Sequence, residues 1–109
     1  MYPGGDDIFA VAWFCGNSEN RTHLVGLKAP NRLGLFDMCG NVGEWVWDWY
    51  AEFPSSTVSD PRGPSQGPGR VTRGGGWNTG VPYVDVYDRM TFNPAWSDES
   101  IGFRVARSR

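Results

Sequence analysis

Between Gly43 and Tyr50 the chain alternates, with Trp45, Trp47 and Trp49 on one parity and Glu44, Val46, Asp48 and Tyr50 on the other. Successive side chains of an extended strand point to opposite faces, so this spacing predicts a strand with its three indoles on one side. Each buried aromatic withdraws on the order of 150–250 Å² from water, so the stretch is expected to be the central strand of the core. Upstream, Ile8-Phe9-Ala10-Val11-Ala12-Trp13-Phe14 is too continuously apolar for its period to separate helix from buried strand. Asp6 or Asp7 is placed to cap a short helical turn there. Thr22 to Leu27 reads as a short strand, and Ala29-Pro30-Asn31-Arg32 as a turn. Arg70–Arg73 reads as a strand stopped by Gly74-Gly75-Gly76, a run that allows positive φ or close backbone approach. Tyr83 to Phe92 is a strand or a distorted turn, and Asn93-Pro94 marks a turn. Ile101 to Ala106 reads as a last strand, with Phe103 and Val105 on one face and Arg104 on the other.

Composition shifts the weight toward loop. Fifteen glycines and eight prolines in 109 residues favour turns and irregular backbone over long helices. From Phe53 to Arg70 lie Pro54, Pro61, Pro64 and Pro68, with Gly63, Gly67 and Gly69 among serines. This is a long surface loop, and loops of that length are often functional or mobile. Residues 1–109 make one domain at most, able to bury roughly 65 % of its unfolded surface. A net charge of −2 without a basic cluster gives no support for nucleic-acid binding. No apolar run is long enough to span a bilayer, and no secretory leader is present, so the reading is cytoplasmic and without a membrane partner. Cys15 and Cys39 form no metal spacing such as C-x-x-C, and free thiols are favoured over a disulfide.

Three clusters carry candidate chemistry. Asp37 and Glu44 flank a turn punctuated by Gly40 and Gly43. Calcium takes six to eight oxygen ligands at about 2.3–2.6 Å, and a glycine-rich loop can fold carbonyls inward while two carboxylates close the shell. The competing reading has both carboxylates capping amides of a tight loop. Residues 77–98 display Trp77, Asn78, Thr79, Tyr83, Asp85, Tyr87, Asp88, Arg89, Asn93, Trp96 and Asp98. Aromatics mixed with short polar groups make adaptable recognition surfaces. The alternative keeps Trp77 and Trp96 in the core. His23 has the ordinary pKa of a general base but no evident partner, so a structural role is favoured. Arg73, Arg89 and Arg104 are expected to pair internally with Glu44, Asp48 or Asp88.

The stretch Gly34-Leu35-Phe36-Asp37-Met38-Cys39-Gly40-Asn41-Val42-Gly43-Glu44-Trp45 resembles the GLYDMxGNVWEW segment of the formylglycine-generating, sulfatase-modifying family. Arg70-Val71-Thr72-Arg73-Gly74-Gly75-Gly76-Trp77 resembles RVLRGGSW, and Ile101-Gly102-Phe103-Arg104-Val105 resembles IGFRL. Ala12-Trp13-Phe14 and Thr22-His23-Leu24-Val25-Gly26 agree more loosely. The resemblance covers nearly the whole chain, but about the C-terminal half of the usual family domain. It implies an irregular α+β fold of the C-type lectin-like class, with short antiparallel strands and much loop. It also implies a calcium ion held by the side chains of Asp37 and Glu44 and the carbonyls of Gly40 and Val42.

For catalysis the resemblance implies an absence. Family enzymes that make formylglycine place two cysteines soon after the GG-S-W/Y motif, bind copper through them and oxidise a substrate cysteine with oxygen. Thr79 and Val84 occupy the matching positions here, and neither can replace a thiolate. Cys15 and Cys39 match neither position. An iron-binding branch uses histidines of a separate N-terminal domain, and this chain has one histidine. No catalytic residue is therefore assigned. The expected function is a non-catalytic binding or interaction module, calcium-stabilised, with Trp77, Asn78, Thr79, Tyr83, Asp85, Tyr87, Arg89, Asn93 and Trp96 facing a small-molecule, glycan or peptide ligand. The alternative is part of a formylglycine-generating or related oxidoreductase whose metal ligands come from another chain. A half-domain exposes apolar surface, which marks an interaction site. A homodimer, or a chain supplying the N-terminal half, is the expected partner.

Overall fold

A computed structural model describes residues 1–107. One turn of helix, α1 (Ile8–Val11), opens the chain. Asp7 caps it by accepting a hydrogen bond from the Phe9 amide at 2.9 Å, satisfying a donor that the helix itself leaves unpaired. Four strands follow: β1 (Gly43–Trp49), β2 (Arg70–Arg73), β3 (Met90–Phe92) and β4 (Ile101–Gly102), with a short 3₁₀ turn at Val81–Tyr83.

The strands form one sheet in the order β3-β2-β1-β4. β1 is internal, as its sequence predicts. β2 runs antiparallel to both β1 and β3, but β4 runs parallel to β1, so the sheet is mixed rather than wholly antiparallel. The β1–β2 register sets Trp45 opposite Thr72 and Trp49 opposite Arg70, with a bulge between. The proline-rich stretch from residue 54 to residue 68 carries no strand or helix, as expected.

The core is not where the tryptophans are. Ile8, Val11, Ala12, Phe14, Cys39 and Val84 form the buried cluster, and Val71 is buried in the sheet. Trp45 and Trp49 are only half-buried, and Trp47 is 82 % exposed. The expectation of an indole-filled core is corrected. Alternation selects a face of the strand, but burial needs a second layer against that face, and α1 with its neighbouring loops packs elsewhere. The indoles are covered piecemeal instead. The Arg70 guanidinium lies 4.8 Å from the Trp47 ring centroid and 4.2 Å from that of Trp49. Trp45 meets Phe92 edge-on at 6.3 Å, and Phe92 touches Trp96 at 5.0 Å.

Three further expectations change. Residues 22–27 form no strand, and the chain turns at Val25-Gly26, with Gly26 at φ +79°. The last strand ends at Gly102, because Arg104 leaves the sheet to reach Glu44, and Phe103 and Val105 stay exposed. Within residues 83–92 only Met90–Phe92 is strand. Cys15 is exposed and Cys39 buried, and both thiols are free. No helix among the described residues is long and apolar enough to cross a membrane.

Candidate functional site

The loop before β1 is wound tightly. Asp37, Gly40 and Asn41 all have left-handed backbone, at φ +53°, +73° and +63°. Asp and Asn tolerate that region better than other side chains, because their short polar groups bond locally. At Gly40 no side chain fits: a Cβ there would sit 2.4 Å from the Trp13 carbonyl oxygen.

Asn41 is the hub of this loop, and the sequence reading missed it. Its side-chain oxygen accepts from the His23 amide at 2.8 Å, and its amide nitrogen donates to the His23 carbonyl at 3.1 Å. Its backbone bonds Trp13 and Trp77, at 2.7 and 2.8 Å. The one available signal was an Asn after a glycine in a turn, and that pattern says nothing about distant partners. His23 itself stacks on Trp13, with centroids 3.7 Å apart and planes 11° from parallel. Its Nε2 lies 2.7 Å from the Ser18 carbonyl oxygen. Both contacts fit the structural role favoured for it.

Asp37, Gly40, Val42 and Glu44 line one cavity of about 470 Å³, so the structure brings the four expected calcium ligands together. Asp37 Oδ2 accepts from the Gly26 amide at 2.7 Å, which is the loop-capping alternative for that oxygen. Both Glu44 oxygens receive hydrogen bonds from Arg104, at 2.8 and 3.0 Å to Oε1 and 3.1 Å to Oε2. Arg104 Nη2 also donates to the Asp37 carbonyl at 2.9 Å. Hydrogen bonding to Glu44 is the main reason the guanidinium is held above its ordinary pKa. The donor set still fits a hard cation. A carboxylate offers about four lone-pair sites, and Arg104 takes only part of them on Glu44. Among the described residues Asp37 Oδ1 accepts no hydrogen bond, and neither do the Gly40 and Val42 carbonyls.

The positions matching the catalytic cysteines are also neighbours in space. Gly75 passes against both, and a Cβ on it would lie 2.7 Å from Val84 Cγ1 and 3.1 Å from Thr79 Cγ2. Val84 is fully buried, and Thr79 Oγ1 accepts from the Gly76 amide at 2.8 Å. Neither offers a soft ligand, so the residues at these positions do not fit copper. The two cysteines of the chain lie close by in space. Cys15 donates its amide to the Thr79 carbonyl at 3.1 Å, and Cys39 shares the buried cluster with Val84. Burial, then the charge of Asp37, push the Cys39 thiol up to about 11. Among the described residues no group of three or more His, Cys, Asp or Glu is arranged to hold a metal through side chains.

The residues expected on a ligand face divide among several surroundings. Trp77 is half-buried, and its carbonyl accepts from Ser18 Oγ at 2.8 Å. Asn78, Tyr83 and Tyr87 are exposed. Asp85 caps the amides of Tyr87 and Asp88 at 2.7 and 3.0 Å, and Asn93 caps Ala95 at 2.9 Å. Trp96 stays half-exposed beside Phe92. Arg89 turns to the Ala51 carbonyl at 2.9 Å and lies over the Phe53 and Tyr50 rings. Of the three arginines expected to pair internally, Arg104 does so with Glu44, whereas Arg73 and Arg89 bond backbone carbonyls.

Residues 4–109 match the family model of the sulfatase-modifying factor enzyme 1-like domain. The serine/threonine-protein kinase pkn1 of Chlamydia pneumoniae is 40 % identical over 111 residues, covering 98 % of this chain and 18 % of that protein. A formylglycine-generating enzyme of Streptomyces coelicolor is 38 % identical over 124 residues, covering 96 % of this chain and 40 % of the enzyme. The solved structure of Treponema denticola variable protein 1 superposes with a TM-score of 0.87 at 38 % identity, over 92 % of this chain and 38 % of that one. The chain spans less than half the length of each of these relatives. With its three motifs in order on a loop-rich mixed sheet, this chain belongs to the sulfatase-modifying factor family and has that family's C-type lectin-like fold.

Proposed function

We propose that this domain is a non-catalytic binding module of its family. The observation that supports the reading is the pair Thr79 and Val84, one tied to the Gly76 amide and the other sealed in the core. Oxidation of a cysteine by copper and oxygen needs thiolates there, and no rotation of these side chains supplies one. Of Trp77, Asn78, Thr79, Tyr83, Asp85, Tyr87, Arg89, Asn93 and Trp96, the exposed Asn78, Tyr83, Tyr87, Asn93 and Trp96 lead the recognition of a small-molecule, glycan or peptide ligand. Screening the purified chain on glycan and peptide arrays tests this. Saturable binding that Tyr83→Ala and Tyr87→Ala abolish supports it, and binding indifferent to both overturns it.

Calcium belongs to this reading as a structural ion. When bound it supplies electrostatic cross-linking of an oxygen-rich loop. Asp37 and Glu44 would hold it by their carboxylates, and Gly40 and Val42 by their carbonyls. The competing reading, favoured by the formylglycine-generating relatives, is a part of an oxidoreductase whose metal ligands come from another chain. Metal content of the purified protein by mass spectrometry separates the two. Calcium alone fits the module, and stoichiometric copper or iron fits the enzyme.

Leu24, Val25, Leu33, Phe103 and Val105 are all exposed, and Val25 and Phe103 border the calcium-loop cavity. Such a patch is expected to be covered, by a second copy of the chain or by a chain supplying further parts of the domain. Analytical ultracentrifugation tests the homodimer, and a clean monomer at micromolar concentration counts against it. The free, exposed Cys15 suits a reducing compartment such as the cytoplasm.

A further inference from the structure

The two edges of the sheet are finished differently. β3 is followed directly by Asn93-Pro94, and proline beside an edge strand blocks further pairing. β4 lies at the other edge, beyond β1, and pairs with it through Ile101 and Gly102 only. The backbone then runs on through Phe103, Arg104, Val105 and Ala106 with no turn, bend or positive φ. No proline stands between Ile101 and Ala106.

Among the described residues, the backbone N–H and C=O groups of Phe103, Arg104 and Val105 take part in no hydrogen bond. Phe103 and Val105 are 78 % and 84 % exposed, on the parity opposite to Arg104. Apolar side chains alternating with a polar one along an extended backbone are the pattern of a strand with one face covered. Arg104 is the one charge between Ile101 and Ala106, and it is spent inward on Glu44 and the Asp37 carbonyl. It therefore anchors the segment without guarding the edge, as a free charge would. Phe103 also borders the cavity of about 470 Å³ beside Val25, Leu35 and Phe36, so an apolar lining adjoins the edge.

We propose that this edge takes an extended segment of a different polypeptide by strand addition, paired with the backbone of residues 103–105 and setting apolar side chains against Phe103 and Val105. Main-chain hydrogen bonds hold such a guest, and its alternate side chains select it. A cover made of side chains alone would bury these N–H and C=O groups unpaired, which folded proteins avoid. A second copy fits less well. The twofold register that sets Phe103 against the copy's Val105 also sets Arg104 opposite its own equivalent, and like charges directly opposite destabilise a sheet. The guest is therefore apolar where it faces Phe103 and Val105, and uncharged or acidic opposite Arg104. This inference rests on the reading that the exposed apolar patch is covered, and it names the kind of cover.

The test is hydrogen exchange of the full chain, read by mass spectrometry, with and without a capped peptide that alternates valine with threonine or glutamate. Without peptide the amides of residues 103–106 should exchange freely. With about nine-tenths of the chain bound, alternate amides among them should slow by roughly tenfold, since only the free fraction exchanges. Two further peptides carry N-methyl groups, one on the valines and one on the residues between. Only alternate N–H groups of a strand face its neighbour, so one version should still protect the host amides and the other should not. Phe103→Ser combined with Val105→Ser should abolish protection and leave the melting temperature unchanged, because both side chains are exposed. The proposal is overturned if about 1 mM of the unmethylated peptide protects nothing, or if both N-methyl versions act alike. Protection that grows with protein concentration in the absence of peptide assigns the edge to a second copy and equally overturns it. If the peptides fail while ultracentrifugation shows association, the patch is covered by side chains alone, and strand addition falls without the reading beneath it.

Discussion

Glu44 and Arg104 are sixty residues apart in sequence and joined by both carboxylate oxygens, with Nη2 to Oε1 at 2.8 Å and Nε to Oε2 at 3.1 Å. The same guanidinium bonds the Asp37 carbonyl, so one side chain ties the end of the sheet to the loop before β1. Glu44→Gln removes the charge and keeps the shape. The pair is partly solvent-exposed, so the expected loss is about 1–2 kcal/mol in urea unfolding, below the range for a buried pair. If calcium occupies the loop, the unaltered protein melts lower in chelator, and the variant shows a smaller calcium-dependent shift. A melting temperature indifferent to both chelator and calcium removes the ion from the picture.

Gly40→Ala addresses the backbone of the same loop. The added methyl meets the Trp13 carbonyl at 2.4 Å in a left-handed backbone. A cost of about 3 kcal/mol or more is expected, combining overpacking with strain. Gly34, where a Cβ meets nothing within 4 Å at φ +76°, is the control for strain alone. Equal losses at the two positions in chemical denaturation would show that the Trp13 contact is unimportant.

Trp47 and Val84 should invert the order that residue size suggests. Trp47→Ala removes an exposed indole and should cost less than about 1 kcal/mol. Val84→Ala opens a cavity in a fully buried cluster and should cost about 1.5–3 kcal/mol. Equilibrium unfolding of the pair decides the matter, and a larger loss at Trp47 would mean that its face is covered in solution, for instance by a second copy.

Cys39 gives the protein an alkaline limit. Its thiol titrates at about 11 in the fold against 9.0 in the open chain. Between those values the unfolded chain has lost a proton that the native state keeps, so stability falls as pH rises from 9 toward 11 and levels off above. The expected loss is up to about 3 kcal/mol, and Cys39→Ala should flatten that part of the profile. A thiol reagent at neutral pH should label Cys15 quickly and Cys39 only on unfolding. Two equally fast thiols would contradict the buried placement.

Local chemistry along the chain was enough to locate β1, β2, the proline-rich loop and the family motifs, and to narrow a helix cap to Asp6 or Asp7. Each rests on interactions within a few residues: side-chain alternation, a capping carboxylate, or the backbone freedom of glycine and proline. That positions 79 and 84 hold Thr and Val rather than cysteine is likewise a matter of residue identity, visible without coordinates. What the fold alone decided is which neighbours those residues meet. Trp47 lies on an open face because no layer packs there, and β4 joins β1 in parallel because the chain returns to the same edge. Asn41 clasps His23, and Arg73 stands opposite Glu44, through contacts that no local pattern encodes. Burial and pairing depend on the packing of distant segments, and alternation in one strand carries no information about what covers it.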